Sequence, residues 1–181
     1  MREETLEFIL NWEKKSSELE TNDLNGVYNK FVTLFTIYNR YYNEVYFNLK
    51  NQNLLAKSRY SDFDKATNIV VDYLGAESII NRINDNNNSK EIDAICTLID
   101  NKVFHINLVN GEPNELIDLE LLQNLRSQNI DIKVKAIFSV IYNVRCNLIH
   151  GHKDFQEYQR LIVEPLIILI IDILSLLKEK M

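Results

Sequence analysis

Asp131-Ile132-Lys133-Val134-Lys135-Ala136-Ile137-Phe138-Ser139-Val140-Ile141-Tyr142-Asn143-Val144-Arg145-Cys146-Asn147-Leu148-Ile149-His150-Gly151 carries both the structural and the chemical signal of this chain. Its first half sets Val134, Ile137, Phe138, Val140 and Ile141 at steps of three and four, the repeat of a buried helix. Its second half turns polar, and Gly151 stands where a C-terminal cap would end the helix. Downstream, Leu161, Ile162, Val163 and Leu166 open another strongly apolar stretch. Arg and Asn on an otherwise buried helix are costly unless they are paired or face a cleft. The pattern therefore predicts that Arg145, Asn147 and His150 lie at a seam between two core helices.

The same periodicity extends toward both termini. Leu6, Phe8, Ile9, Leu10 and Trp12 predict an amphipathic helix over 2–19. Asp23 is positioned to cap a long helix to about residue 50, whose stripe of Val27, Phe31, Leu34, Phe35, Tyr38, Tyr41, Tyr42 and Val45 is rich in aromatics. Ser61-Asp62 starts a third helix running through Ile80. The Asn-rich stretch 84–89 reads as a loop, with Ser89 capping a short helix to about 98–101. Residues 102–109 alternate and suggest an extended piece or a loop, and Gly111-Glu112-Pro113 reads as a turn. Helices follow over 114–127, 131–150 and 154–180, with Pro165 kinking the last or marking its true first turn. The expected fold is one all-α domain over 1–181, a bundle of six to seven helices.

Composition supports that reading. A chain of 181 residues is of single-domain size. It has 46% apolar and 25% charged residues, the balance of a globular protein. Only 4 Gly and 2 Pro are present, too few for the tight turns of a β-sandwich or barrel. Lys and Arg number 20 against 26 Asp and Glu, giving a net charge of −6. Such a charge argues against a broad basic platform for nucleic acid and leaves room for a small site with a few arginines. The two cysteines, Cys96 and Cys146, form no disulfide framework. Met1-Arg2-Glu3-Glu4 lacks the apolar segment that would have to follow in a signal peptide, so none is expected. Residues 161–177 carry Glu164, Pro165 and Asp172, unlike a membrane span. A cytoplasmic protein without membrane contact is expected.

Phosphate-cradling loops, GxSxG and HExxH are absent, and His150-Gly151-His152 lacks further ligands to complete a metal set. Neither metal nor cofactor is expected. On an ideal helix Arg145 and His150 point about 140° apart. They converge on one ligand only if the helix ends near His150 or a second copy supplies the other half. The partial negative charge of a helix C-terminus favours imidazolium there, so His150 is suited to proton exchange near neutrality. Arg145 can hold a phosphate with two hydrogen bonds. Together the two groups can turn the 2′-OH of RNA on its adjacent phosphate without metal. The competing reading makes Arg145 half of an ion pair and His150 a helix-terminal residue bonded to the last carbonyls.

Arg145-Cys146-Asn147-Leu148-Ile149-His150-Gly151 resembles the Arg-x4–6-His signature of HEPN domains, all-α proteins common in prokaryotic defence and toxin–antitoxin systems. The Ile/Leu-rich segment that follows is similar to the family's closing helix, and Phe31–Asn39 is more weakly similar to its early aromatic helix. The resemblance implies a homodimer that brings two Arg/His pairs into a composite, metal-independent endoribonuclease site, often with a neutralising antitoxin partner. By that resemblance Arg145, His150 and Asn147 are the catalytic candidates, with His152 and Lys153 assisting substrate binding. His152 also satisfies the spacing. Many active members carry their polar residue directly after the arginine; here Cys146 stands there and Asn147 follows. Asn39 is a candidate to hydrogen-bond across to the motif. The alternative is a catalytically inactive helical module that binds a nucleotide or a protein partner.

Overall fold

Uninterrupted apolar spacing produces helix along most of the chain, and the breaks fall where a backbone or side-chain contact interrupts it. The structure, a computed structural model, describes residues 1–149 and 156–181. Helix α1 (Glu3–Glu18) is followed by α2 (Leu24–Asn51), which Asp23 caps by accepting the Gly26 N–H at 2.7 Å. All eight residues of the α2 stripe are buried. In α1, only Ile9 of the expected apolar face is buried, while Leu6 and Leu10 are exposed. The helix is anchored instead by Arg2 and Thr5, which both donate to the buried Glu44 carboxylate of α2.

The expected third helix is not continuous. Ser61 caps α3 (Asp62–Asp64), the chain widens into a π-helical stretch (Lys65–Ile69), and α4 (Val70–Leu74) closes it. Tyr38 of α2 donates to the Ala66 carbonyl within the π stretch, and a side chain entering the ladder is a recognised cause of such a bulge. Gly75, at φ +88°, then stops the helix and α5 (Ala76–Asp85) starts afresh. That backbone conformation strains any residue with a Cβ. Ser89 is the first residue of α6 (Ser89–Asp100) rather than its cap. Asn86 and Asn88 of the preceding loop donate to the buried Asp172.

Phe104 and Ile106 are buried and Val103 exposed, as their alternation predicts. The segment then forms a small antiparallel hairpin, β1 (Leu108–Val109) with β2 (Glu112–Pro113), in the register Leu108 to Pro113 and Val109 to Glu112. Its turn is Asn110-Gly111, at φ +53° and +84°. Two positive φ angles in a two-residue loop favour Asn-Gly and match the strand twist. Helix α7 (Glu115–Leu125) leads to α8 (Ile130–Ile149).

Beyond the undescribed residues, a 3₁₀ turn (Glu157–Gln159) opens α9 (Arg160–Lys180). Pro165 thus lies inside α9, past its first turn; the expected start at Asp154 lies outside the described residues. Helix α9 packs on α2, α6 and α5, whereas α8 packs mainly on α7, α5 and the π stretch. The result is a mostly helical bundle with one short hairpin on the 106–113 side. Among the described residues, no helix is long and apolar enough to cross a membrane.

Candidate functional site

The last two turns of α8 place Arg145, Cys146 and Asn147 on three different sides of one helix, because successive residues step about 100° around its axis. Arg145 is half-buried and turns toward α2. Its guanidinium carbon sits 5.2 Å from the centre of the Phe35 ring, within cation–π range. Its Nη1 lies 4.0 Å from the Cys146 sulfur, and its buried Nε has no hydrogen-bond partner. Among the described residues no carboxylate forms an ion pair with it, and Asp154 lies outside them. The contacts correct the expected seam. Arg145 meets the aromatic face of α2 rather than a junction with α9, because the large rings of α2 fill the space beside α8: Phe35 lies 6.3 Å from Tyr142, and Tyr38 lies 6.0 Å from Phe138.

A phenol and carboxylate cluster adjoins Arg145. Tyr42 donates to Asp62 at 2.7 Å and accepts from the Asn39 amide at 2.7 Å. Asn43 in turn donates to the Asn39 side chain at 3.0 Å. Among the described residues Asn39 therefore bonds within its own helix and not to the motif. Burial, then the hydrogen bond to Asp62, push the Tyr42 hydroxyl far above its ordinary pKa. Burial likewise raises Tyr142 to about 12, with nearby Arg145 partly opposing the rise. Both phenols thus stay protonated at neutral pH.

Asn147 faces the other way. It is buried, and its Nδ2 donates to the Ile106 carbonyl at 2.8 Å. One turn earlier, Asn143 donates to Asn107 Oδ1 at 3.0 Å. Asn107 gives both its backbone N–H and its side-chain amide to Asp118 Oδ1, at 2.8 and 2.9 Å. The other oxygen of Asp118 lies 3.2 Å from His105 Nδ1. The hairpin and α8 enclose a pocket of about 260 Å³ whose lining includes Asn107, Leu108, Asn110, Asn143, Cys146 and Asn147.

Asp118 and its partners were not singled out from sequence. The available signal was an acid three and four residues before Leu121 and Leu122, on the buried face of α7. His150, His152 and Lys153, with the Gly151 cap, lie outside the described residues. Among the described residues, no group of three His, Cys, Asp or Glu side chains is placed to hold a metal ion.

Compared with protein-family models, with curated proteins and with solved structures, the chain finds no match.

Proposed function

We propose that the chain is a HEPN-like, metal-independent endoribonuclease that acts as a homodimer, with Arg145 and His150 as its reacting pair. The observation that carries this reading is the unpaired cation of Arg145. Arg2, Arg82, Arg126 and Arg160 each hold a carboxylate at 2.6 to 3.2 Å. Among the described residues Arg145 has none, as Arg40 and Arg59 have none, and like Arg40 it keeps a buried Nε without a partner. Of these three, Arg145 is the one that stands in the Arg-x4–6-His pattern. A half-buried guanidinium in that state gains when an anion arrives, and its planar fork fits phosphate.

His150, five residues on, is the base that removes the proton from the 2′-OH. The freed oxygen forms a bond to phosphorus, the bond to the 5′-oxygen breaks, and that oxygen takes up a proton as it leaves. Arg145 holds the charge that develops on the phosphate oxygens. Asn147, tied to the Ile106 carbonyl, holds the hairpin against α8. Ile149 within the motif and Leu161 downstream of it are exposed and offer apolar contact to a second copy. The resemblance places such a protein in prokaryotic defence or a toxin–antitoxin pair, with an antitoxin as partner.

The test is a matched pair of substrates, an RNA and the same strand with deoxyribose at its cleavage sites. The RNA is cut to 2′,3′-cyclic phosphate ends and the substituted strand stays intact. Cutting of both strands contradicts the mechanism.

A second reading is an assembly or nucleotide-binding module without cleavage, favoured by the net charge of −6, which repels RNA outside the site. It predicts that Arg145→Ala loosens the dimer, which light scattering reads directly.

A further inference from the structure

The pocket between the hairpin and α8 has a polarity fixed by its own hydrogen bonds. A carboxylate only accepts, so the Asp118 oxygen that meets the Asn107 side chain must face its Nδ2. Asn107 Oδ1 therefore turns toward Asn143, and Asn143 must present its Nδ2 in return. The Ile106 carbonyl likewise only accepts, which turns Asn147 Nδ2 toward it. Both α8 amides thus spend a donor on the protein and keep their carbonyl oxygens without a hydrogen bond among the described residues. Neither oxygen is sealed from solvent, since the only buried and unpartnered side-chain polar atoms among the described residues are Nε of Arg40 and Nε of Arg145. Asn143 and Asn147 stand four residues apart, so they occupy one face of the helix.

The lining holds no Lys, Arg, Asp or Glu. It offers a phosphate or carboxylate no countercharge. Its volume of about 260 Å³ falls just under the ~300–1,000 Å³ of sites for drug-sized ligands, which suits one planar heterocycle. Cys146 lines the pocket and its sulfur lies 4.0 Å from Arg145 Nη1, so the pocket and the unpaired guanidinium are neighbours across one side chain.

We propose that this pocket binds the base of a nucleotide by an edge carrying two adjacent N–H donors, the pattern of guanine, with the attached phosphate directed to Arg145. Guanine presents its ring N–H and its exocyclic amine together. Adenine and cytosine set one amine beside a ring acceptor, and uracil flanks its N–H with carbonyls, so each turns a lone pair toward an Asn oxygen. Sequence-specific recognition of single-stranded RNA includes hydrogen bonds to the exposed edges of splayed bases. The inference deepens the nuclease reading and rests on it only for the role of the phosphate at Arg145.

Calorimetric titration of the intact chain with guanosine, inosine, adenosine and uridine monophosphates tests it. Guanosine monophosphate binds; inosine monophosphate, which lacks the amine, binds about tenfold more weakly for one lost hydrogen bond. The adenosine and uridine nucleotides bind at least ~100-fold more weakly. Arg145→Ala brings guanosine monophosphate down to the affinity of guanosine itself, and Asn143→Ala lowers both while circular dichroism stays unchanged. Equal binding of all four nucleotides, or no binding of guanosine monophosphate, overturns the proposal without any variant having to fold. RNA cleavage that ignores guanine overturns the pocket and leaves the nuclease standing. Guanine-selective binding by a chain that cuts no RNA supports the pocket and overturns the nuclease.

Discussion

Asn147, near the end of α8, donates its amide to the carbonyl of Ile106 at 2.8 Å, a bond that spans 41 positions of the chain and ties the hairpin segment to the helix bearing Arg145. Both ends are buried. Replacing Asn147 with Ala leaves a buried carbonyl without a donor, which costs about 1–3 kcal/mol. Urea unfolding is expected to show a loss in that range. An unchanged midpoint would mean that the bond does not hold the hairpin in solution.

Arg145→Ala is expected to behave in the opposite way. It breaks no ion pair among the described residues and removes a buried Nε that lacks a partner. Stability should therefore stay within about 0.5–1 kcal/mol of the parent, while RNA cleavage drops by at least ~100-fold, the scale of losing one positioned donor to developing charge. A large drop in thermal midpoint with cleavage retained would assign Arg145 to the scaffold.

Acid weakens the α1–α2 contact. Burial pushes the Glu44 carboxyl up, but hydrogen bonds from Arg2 and Thr5 together outweigh it and hold its pKa below the ordinary 4.5. A lowered folded pKa means that the unfolded chain takes up the proton first as pH falls. This contribution is complete above about pH 4.5 and is lost as pH drops through the folded value. Glu44→Gln should be less stable than the parent at pH 7, with the gap closing at lower pH; a gap independent of pH contradicts the assignment.

Base acts on the aromatic core. Burial raises Tyr41 and Tyr142 to about 12, and holds Tyr38 and Tyr42 well above their ordinary value. A raised folded pKa gives stability that is complete below the unfolded value of 10 and is lost as pH rises through 12. Tyrosinate absorbance should therefore show a late component that appears together with loss of helix. Smooth titration of every tyrosine near pH 10, with helix intact, would contradict the packing around α2.

Periodicity made α2 readable, since all eight of its stripe residues are buried and its cap is Asp23. Local patterns failed where distant contacts decide the outcome. The 61–80 stretch breaks because Gly75 adopts a positive φ, and its π turn answers to a hydroxyl on Tyr38 of α2. The Asn110-Gly111 turn was legible in principle, as an Asn-Gly pair after an alternating run. The position of Arg145 on the helix was legible; its packing on Phe35 was not, because ring contacts between α2 and α8 follow from tertiary packing. The partners of Asn143 and Asn147 lie 36 and 41 positions away, beyond any spacing rule.

Cleavage of RNA in the presence of EDTA by the parent, Arg145→Ala and His150→Ala chains, each checked for dimer by light scattering, bears most directly on the proposed chemistry. The parent should cut to 2′,3′-cyclic phosphate ends and both variants should be inactive as intact dimers. Cleavage by either variant at close to the parent's rate, or a folded dimeric parent that leaves RNA whole, contradicts it.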